Sequence, residues 1–489
     1  MICKEQSIIW RSSEMSQYVL VVKEDCETCR LLASLTKRLI DELDITIYSQ
    51  DNPEFPAGVP VIDDTELEYS FNHRLETVPT LLKFENESGL RELERTEGWD
   101  RNEWQRLTGL NFLEDLPAFR PGCGSKTLDP GMLDQLAVKF GSADLEARRL
   151  AIEDGEDEIE ACYDRGWSDG LPLVPPTELR VVKMLQGTRR APNEIIGNVP
   201  PDYAPCSVLK VAVNAVMAGC KPEYMPVVLA AVEAALLDEF CMHGLLATTY
   251  FSGPMVVVNG PISRAIGMNS KGNALGQGNR ANATIGRALQ LVIRNVGGGK
   301  PQGVDRAALG NPGKYTFCFA EDETNSCWDS YSVEKGFEGQ DSTVTLFAAD
   351  GVQGIVDQKS RTPESLCRSF AAGLRVASHP KMVMAADAFL VITPEHERVF
   401  RDAEWSKTRV KAELESLLQI DGAELVMGAG GIAEGLPDKF ADKVVPKFRA
   451  GGLNIVRAGG GAGMFSAIIA GWGASGSMGS VPVTVKVGH

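Results

Sequence analysis

The apolar pattern changes period several times along this chain, and each change marks an element. Residues 18–22, YVLVV, are apolar without interruption, the mark of a short strand covered on both faces. In CETCRLLASLTKRLIDEL, the positions Leu31, Leu32, Leu35 and Leu39 recur at helical spacing, so a helix is predicted to begin at the cysteines. ITIY at 45–48 alternates as a half-buried strand does, and TVPTLLKF at 77–84 reads as a third strand with a proline near its start. RNEWQRLTGL at 101–110 is amphipathic and predicts a closing helix.

Pro117, Pro121, Gly122, Gly124, Pro130 and Gly131 then interrupt the pattern, which predicts a linker over 111–130. The charged stretch 144–160 reads as a solvated helix. From Asp169 the texture changes. DGLPLVPPTELRVVKML opens on a proline-rich turn and continues into a helix with Thr177 as its N-cap. VLAAVEAALL (228–237) predicts a buried helix, PMVVVNGPI (254–262) a buried strand ending in a turn, and ATIGRALQLVIRNVGG (283–298) another helix. AFLVITPEH (388–396) and LNIVRAGGGAG (453–463) repeat the strand-to-turn texture, which suggests an internal pseudo-repeat. The expected fold class is therefore α/β. An N-terminal domain would span 1–112, a linker and charged helix 113–150, and one large α/β catalytic domain 151–489.

Composition narrows the function. Of the 489 residues, 44% are hydrophobic, enough for sizeable cores and against wholesale disorder. The net charge of −17 has the wrong sign for nucleic acid or an anionic membrane surface, so neither is an expected partner. The first residues lack the apolar run of a signal peptide. Met464 to Thr484 is uncharged but rich in Gly and Ser and interrupted by Pro482, so it is expected to be buried rather than membrane-spanning. The 11 cysteines are odd in number and irregularly spaced, which fits reduced thiols in a cytoplasmic protein rather than a disulfide framework. With only 5 histidines, a multi-histidine metal site is not expected.

Cys26 and Cys29 stand where a helix starts. There the helix dipole and free N–H groups favour thiolate on Cys26, and Cys29, one turn on, is placed to resolve a mixed disulfide. No second Cys-x-x-Cys occurs, so a structural zinc would lack ligands. Cys26-Glu27-Thr28-Cys29, Val78-Pro79 and the order of elements over residues 15–112 together resemble the thioredoxin superfamily. The resemblance implies a thioredoxin-like fold and puts Pro79 in the position of the cis-proline that opposes the dithiol and shapes the substrate groove. Asp25 stands where the family has tryptophan, and Glu27-Thr28 where it has Gly-Pro. Acidic neighbours are expected to raise the Cys26 pKa and make a more reducing or slower dithiol. Cys123 lies in RPGCGSK near Arg120 and Lys126, whose charge should favour its thiolate. A thiol on a flexible linker would carry reducing equivalents from the dithiol to the larger domain; the alternative is an exposed thiol without a role.

In the larger region NSKGNALGQGNRANATIGRA (269–288) is the least ordinary segment. Gly272, Gly276 and Gly278 let backbone approach a ligand. Asn269, Asn273, Asn279 and Asn282 offer paired donors and acceptors, and Arg280 and Arg287 offer fixed charge. The helix that follows could hold an anion at its N-terminus. The segment is neither a Walker A loop nor a dinucleotide fingerprint; its alternative is a set of glycine turns in a packed core. Cys241-Met242-His243 could be a nucleophile region or a pair of soft ligands, against a purely structural histidine. Lys314 and Tyr315 in NPGKYTF could supply a cation or an acid. Cys318 and Cys327, flanking AEDETNS, could be an oxidisable pair but read rather as core thiols, and His396, between Glu395 and Glu397, reads as a surface residue.

WSDGLPLVPPT (167–177), NGP (259–261), GNRANATIGRAL (278–289), RNVGG (294–298), NPGKYTFC (311–318) and DSTVT (341–345) resemble the motifs of an uncharacterised bacterial family, over nearly all of 160–480. Its members are similar to partners of small selenoproteins of the UGSC type, which carry a selenocysteine-Gly-Ser-Cys motif. Where members often end in a Gly-Pro-Gly-Lys-His-Ser-like turn, this chain has Gly460 to Ser466 without the lysine and histidine. The association implies reductive or thiol-assisted chemistry and a small selenoprotein partner.

The expected function is a thiol-dependent oxidoreductase: a dithiol domain serving a larger domain that binds a small polar or anionic molecule through Asn269, Asn273, Asn279, Arg280, Asn282, Lys314 and Tyr315. One alternative is a lyase or hydrolase acting on a carbon–sulfur or carbon–metal bond. Another is a non-enzymatic redox or metal-handling scaffold. No cofactor is assigned, and a metal ion bound by thiolates stays open. A homo-oligomer is expected.

Overall fold

The computed structural model describes residues 17–85, 91–111, 116–140, 145, 147, 152, 156–473 and 479–488. The chain is an α/β protein and divides into two compact units, Met1–Ala143 and Asp144–His489.

The first unit is built on β1 (Tyr18–Val22), whose five residues are all buried. The chain continues through α1 (Glu27–Leu32) and α2 (Thr36–Glu42) to β2 (Ile45–Ser49), parallel to β1. The helical pattern across 27–42 is interrupted because Ser34 and Thr36 turn their hydroxyls back onto the Leu31 and Ala33 carbonyls, at 3.2 and 2.8 Å. β3 (Ile62–Asp63) joins β2 in parallel, and α3 (Glu68–Asn72) follows. TVPTLLKF is two strands, β4 (Thr77–Val78) and β5 (Thr80–Phe84), because Pro79 has no N–H for a ladder. The Val78–Pro79 peptide is cis. β5 runs antiparallel to β1, and β6 (Glu92–Glu97) antiparallel to β5, completing the order β3-β2-β1-β5-β6.

The expected linker is largely folded into this unit. After β7 (Trp99–Asp100) and α4 (Arg101–Thr108), β8 (Phe119–Arg120) pairs with β7, and β9 (Cys123–Gly124) pairs with β4. α5 (Met132–Phe140) then packs against α3. The prolines and glycines do break regular structure. What they permit is close return: a Cβ on Gly122 would stand 2.8 Å from the Val78 carbonyl oxygen.

The second unit opens on α6 (Glu158–Asp164) and α7 (Glu178–Leu185). Thr177 is the N-cap of α7 by its backbone, without a capping bond from its hydroxyl. Of the charged stretch 144–160, positions 144, 146, 148–151 and 153–155 lie outside the described residues. The hairpin β10 (Ile195–Val199) and β11 (Ala204–Ser207) leads to α8 (Val208–Ala218), α9 (Met225–Ala235) and α10 (Met242–Ala247). β12 (Gly253–Asn259) crosses over through α11 (Pro261–Ala265) and α12 (Arg280–Asn295) to the parallel β13 (Cys318–Ala320). After α13 (Tyr331–Glu334), β14 (Thr343–Val356) returns antiparallel beside β12. The pattern then repeats. Past α14 (Pro363–Arg375), β15 (Ala388–Ile392) crosses through α15 (Pro394–Asp402) and α16 (Lys407–Leu417). A small ladder of β16 (Gln419–Asp421) and β17 (Val444–Pro446) encloses α17 (Gly422–Leu425). β18 (Leu453–Arg457) is parallel to β15, and β19 (Phe465–Gly471) returns antiparallel beside it.

The order β13-β12-β14-β19-β15-β18 is palindromic: each half contributes an outer strand, its parallel partner and a returning strand. β20 (Val483–Lys486) pairs with β14. Side chains alternate across the sheet. Met255, Val257, Phe347, Phe389, Val456 and Ile469 form one core on one face. On the other, Val256 and Val258 face the core shared with α8, α9 and α12, and Leu390 and Ile392 face that of α14 and α16. Among the described residues no helix is long and apolar enough to cross a membrane. Within Met464 to Thr484 the structure has β19 and the start of β20, with 474–478 outside the described residues.

Candidate functional site

The clearest convergence of reactive side chains is in the first unit. Cys26 is the N-cap of α1 and its sulfur accepts the Cys29 backbone N–H at 3.3 Å. The Val78 carbonyl, just before Pro79, lies 3.5 Å from the same sulfur and can accept its proton when the thiol is neutral. Cys123 belongs to the same cluster. Its backbone pairs with Val78 through the β4–β9 ladder, beside the carbonyl that lies 3.5 Å from the Cys26 sulfur. Pro121 accepts the Thr28 hydroxyl at 2.6 Å, and Arg120 pairs with Glu27. Lys23 donates to the Gly124 carbonyl at 2.8 Å. Residues 120–124 thus lie across the start of α1, leaving Cys26 1% exposed.

The electrostatics reverse two expectations. Cys26 is pulled down to about 5, not raised. The Cys29 thiol donates to its sulfur, burial opposes this, and the Cys123 thiol and backbone N–H groups of Cys29 and Thr28 reinforce it. Glu27 does not dominate, because its carboxylate is engaged by Arg120. Cys123 is raised, not lowered: burial and the hydrogen bond it gives Cys26 favour its neutral form, while Arg120 is committed to Glu27. Burial and the Cys26 sulfur push Cys29 far up. The cluster is built to hold one negative charge, on Cys26.

The second unit uses its expected binding residues largely on itself. Asn279 caps α12 through the Asn282 N–H at 3.0 Å and also donates to the Gly267 carbonyl. Asn282 accepts from the Asn269 N–H and donates to the Asn269 and Ala274 carbonyls. The Asn269 amide bonds the Gly272 carbonyl, and the Asn273 amide the Gln277 carbonyl. Arg280 donates to the carbonyls of Gly219 and Cys220 beyond the end of α8. Arg287 forms a two-pronged pair with Asp169 and bonds the Leu171 and Pro172 carbonyls, interlocking the WSDGLPLVPPT and GNRANATIGRAL segments. Lys314 pairs with Asp305 at 2.8 Å, while Tyr315 is exposed. A turn-rich segment 269–279 must satisfy its own backbone groups, and short asparagine side chains do this locally. The segment nevertheless borders a recess of about 390 Å³, where Asn273 and Gly276 meet Thr393, Gly459 and Phe465.

The His243 ring stacks on Tyr203 at 5.7 Å, while the Cys241 sulfur would lie 2.7 Å from a Cβ on Gly244. Cys318 is buried, but Cys327 is exposed rather than a core thiol. His396 is not a surface residue. It is fully buried, with Nδ1 2.7 Å from the Ser466 hydroxyl and Nε2 3.0 Å from the Asp357 carbonyl. Among the described residues, no group of His, Cys, Asp and Glu is arranged to hold a metal ion.

Sequence reasoning missed a buried ionic cluster that ties the ends of the two edge strands. Arg457, the last residue of β18, bonds the Asp322 carboxylate at 2.8 Å and pairs with Glu397 at 2.7 Å. Lys407 pairs with Glu334 at 2.7 Å, and Glu321 accepts the Asn259 amide at 2.6 Å. The acidic run 321–323 was visible, but nothing local distinguishes a buried acidic loop from a solvated one. No family model matches the sequence, and a comparison with curated proteins finds no match.

Proposed function

We propose that the chain is a thiol-dependent oxidoreductase whose first unit is a thioredoxin-like dithiol module, with Cys26 as nucleophile and Cys29 as resolving thiol. The observation that carries this is the asymmetric pair: Cys26 caps α1 and accepts the Cys29 N–H at 3.3 Å, which favours its thiolate, beside a fully buried Cys29 whose burial keeps it protonated. A thiolate attacks a disulfide, and the neighbouring thiol then displaces the bound product and takes its place in a Cys26–Cys29 disulfide. The order β3-β2-β1-β5-β6 and the Val78–Pro79 turn beside Cys26 support the thioredoxin-like reading. The larger unit would hold a small polar or anionic substrate in the recess beside Asn273, Thr393 and Gly459. Joining the two in one chain would keep the reductant at roughly millimolar effective concentration.

The test is to equilibrate the protein with graded ratios of a reduced and an oxidised small dithiol and map the cysteines by mass. A Cys26–Cys29 disulfide should appear as a two-thiol transition and be absent in Cys26→Ser and Cys29→Ser. If both cysteines stay open to alkylation after denaturation at every ratio, the proposal fails.

A further inference from the structure

Cys26 is the charged thiol of the cluster, yet it is 1% exposed, and Cys29 is fully buried. Cys123 is the one of the three that solvent reaches. What covers Cys26 is the segment that carries Cys123. Its Cys123–Gly124 backbone already occupies the Thr77–Val78 edge, Thr28 holds Pro121, and Glu27 holds Arg120. A polypeptide approaching Cys26 must first displace this segment. A small molecule need only reach Cys123.

We propose that Cys123 is the thiol that meets the oxidised substrate, that this substrate is a low-molecular-weight disulfide, and that Cys26 takes the disulfide over from Cys123 inside the unit. The inference rests on the dithiol reading above and adds the substrate class and a third catalytic thiol. In the first step Cys123 sulfur bonds one sulfur of the small disulfide, RSSR. The S–S bond breaks, and the proton of Cys123 leaves with the released RSH. In the second, the Cys26 thiolate attacks the Cys123 sulfur, expelling RS⁻, which takes a proton from water, and forming a Cys26–Cys123 disulfide. In the third, Cys29 attacks Cys26, the Cys26–Cys123 bond breaks, and the Cys29 proton passes to Cys123. The net change is RSSR to two RSH, with two electrons supplied by the Cys26–Cys29 dithiol and Cys123 regenerated. Cys123 pairs with Val78 in the β4–β9 ladder, and the Val78 carbonyl lies 3.5 Å from the Cys26 sulfur, which places the second step's partners side by side. A thiol with a raised pKa attacks slowly at neutral pH but is strongly nucleophilic once ionised.

The test uses the full chain and glutathione disulfide as the probe. In Cys29→Ser the relay should stop at a Cys26–Cys123 disulfide, found by peptide mass mapping as a loss of two hydrogens with no adduct. In Cys26→Ser the glutathione adduct should collect on Cys123. Cys123→Ser should slow oxidation of the Cys26–Cys29 pair on the order of tenfold or more. The wild-type rate should keep rising into alkaline pH as Cys123 ionises, instead of reaching a plateau just above the Cys26 pKa. A stable glutathione adduct on Cys26 in Cys29→Ser, with Cys123 free, overturns the proposal. So does a Cys123→Ser variant oxidised as fast as wild type. Failure of the dithiol reading itself looks different: no Cys26–Cys29 disulfide then forms in the wild type with any oxidant.

Discussion

Gly122→Ala tests whether the 120–124 segment controls access to Cys26. Gly122 does not have a positive φ, so alanine is acceptable to its own backbone. The conflict is with its surroundings: the added Cβ would lie 2.3 Å from Thr77 Cγ2, 2.8 Å from the Val78 carbonyl oxygen and 3.2 Å from the Gly98 Cα. Two of these are backbone atoms, which cannot rotate away. Such overpacking costs about 1–3 kcal/mol. Opposing it are the Thr28–Pro121 hydrogen bond, worth about 1 kcal/mol, and the exposed Arg120–Glu27 pair, worth about 0–1 kcal/mol. The segment is therefore expected to relieve the strain by lifting rather than by unfolding the unit. A shift of about 2 kcal/mol raises the uncovered population roughly 30-fold. The assay is the rate of Cys26 alkylation by iodoacetamide near neutral pH, where Cys26 is thiolate, read by peptide mass. Gly124→Ala is the control, since a Cβ there meets nothing within 4 Å. The expected result is a tens-fold faster Cys26 in Gly122→Ala with a Tm lower by only a few degrees, and both properties unchanged in Gly124→Ala. An unchanged Cys26 rate in Gly122→Ala would refute the claim that this segment is the cover.

The Cys26 pKa of about 5, against an ordinary 9.0, means the folded state binds its proton less tightly than the unfolded state. This stabilisation is complete above 9 and disappears as pH falls through 5. Urea unfolding of the reduced protein should show first-unit stability rising with pH across that window, with a smaller slope in Cys26→Ser; equal slopes would contradict the assignment. Arg287→Lys keeps the charge but loses the two-pronged geometry to Asp169 and the carbonyl bonds to Leu171 and Pro172. It should cost on the order of 2–3 kcal/mol in the second unit, measured as a lower urea midpoint. Lys447 is fully buried and its Nζ donates to the carbonyls of Ala377, His379 and Met382 at 2.8–2.9 Å. Lys447→Met leaves all of them without that donor and should destabilise the second unit by about 3 kcal/mol or more; an unchanged Tm would show that water replaces the ammonium.

The elements of the chain were legible where one period persisted. YVLVV could only be a buried strand, and PMVVVNGPI, AFLVITPEH and LNIVRAGGGAG announced the strand-to-turn repeat that β12, β15 and β18 form. Cys26 and Cys29 could be paired from their spacing alone, because one helical turn relates them. Local pattern says nothing about which face of a turn a distant segment will cover. Asn269, Asn273, Asn279 and Asn282 looked like ligand groups because their number was visible and their backbone partners were not. His396 looked exposed between two glutamates, although the helical repeat turns it away from solvent toward Ser466 and Phe370.

What the sequence determined by itself was the α/β class, the two kinds of territory along the chain, and the presence of a dithiol at a helix start. These follow from interactions within a few residues. Only the tertiary structure decided that Cys123 sits against Cys26, that Cys26 rather than Cys123 carries the charge, and that 120–124 belongs to the first unit. Cys123 is 97 positions from Cys26. Their meeting depends on a backbone ladder with Val78, on Gly122 having no side chain and on Thr28 finding Pro121. Proton affinity then follows from which groups surround a sulfur in space, and sequence neighbours such as Glu27 count only if no closer partner engages them.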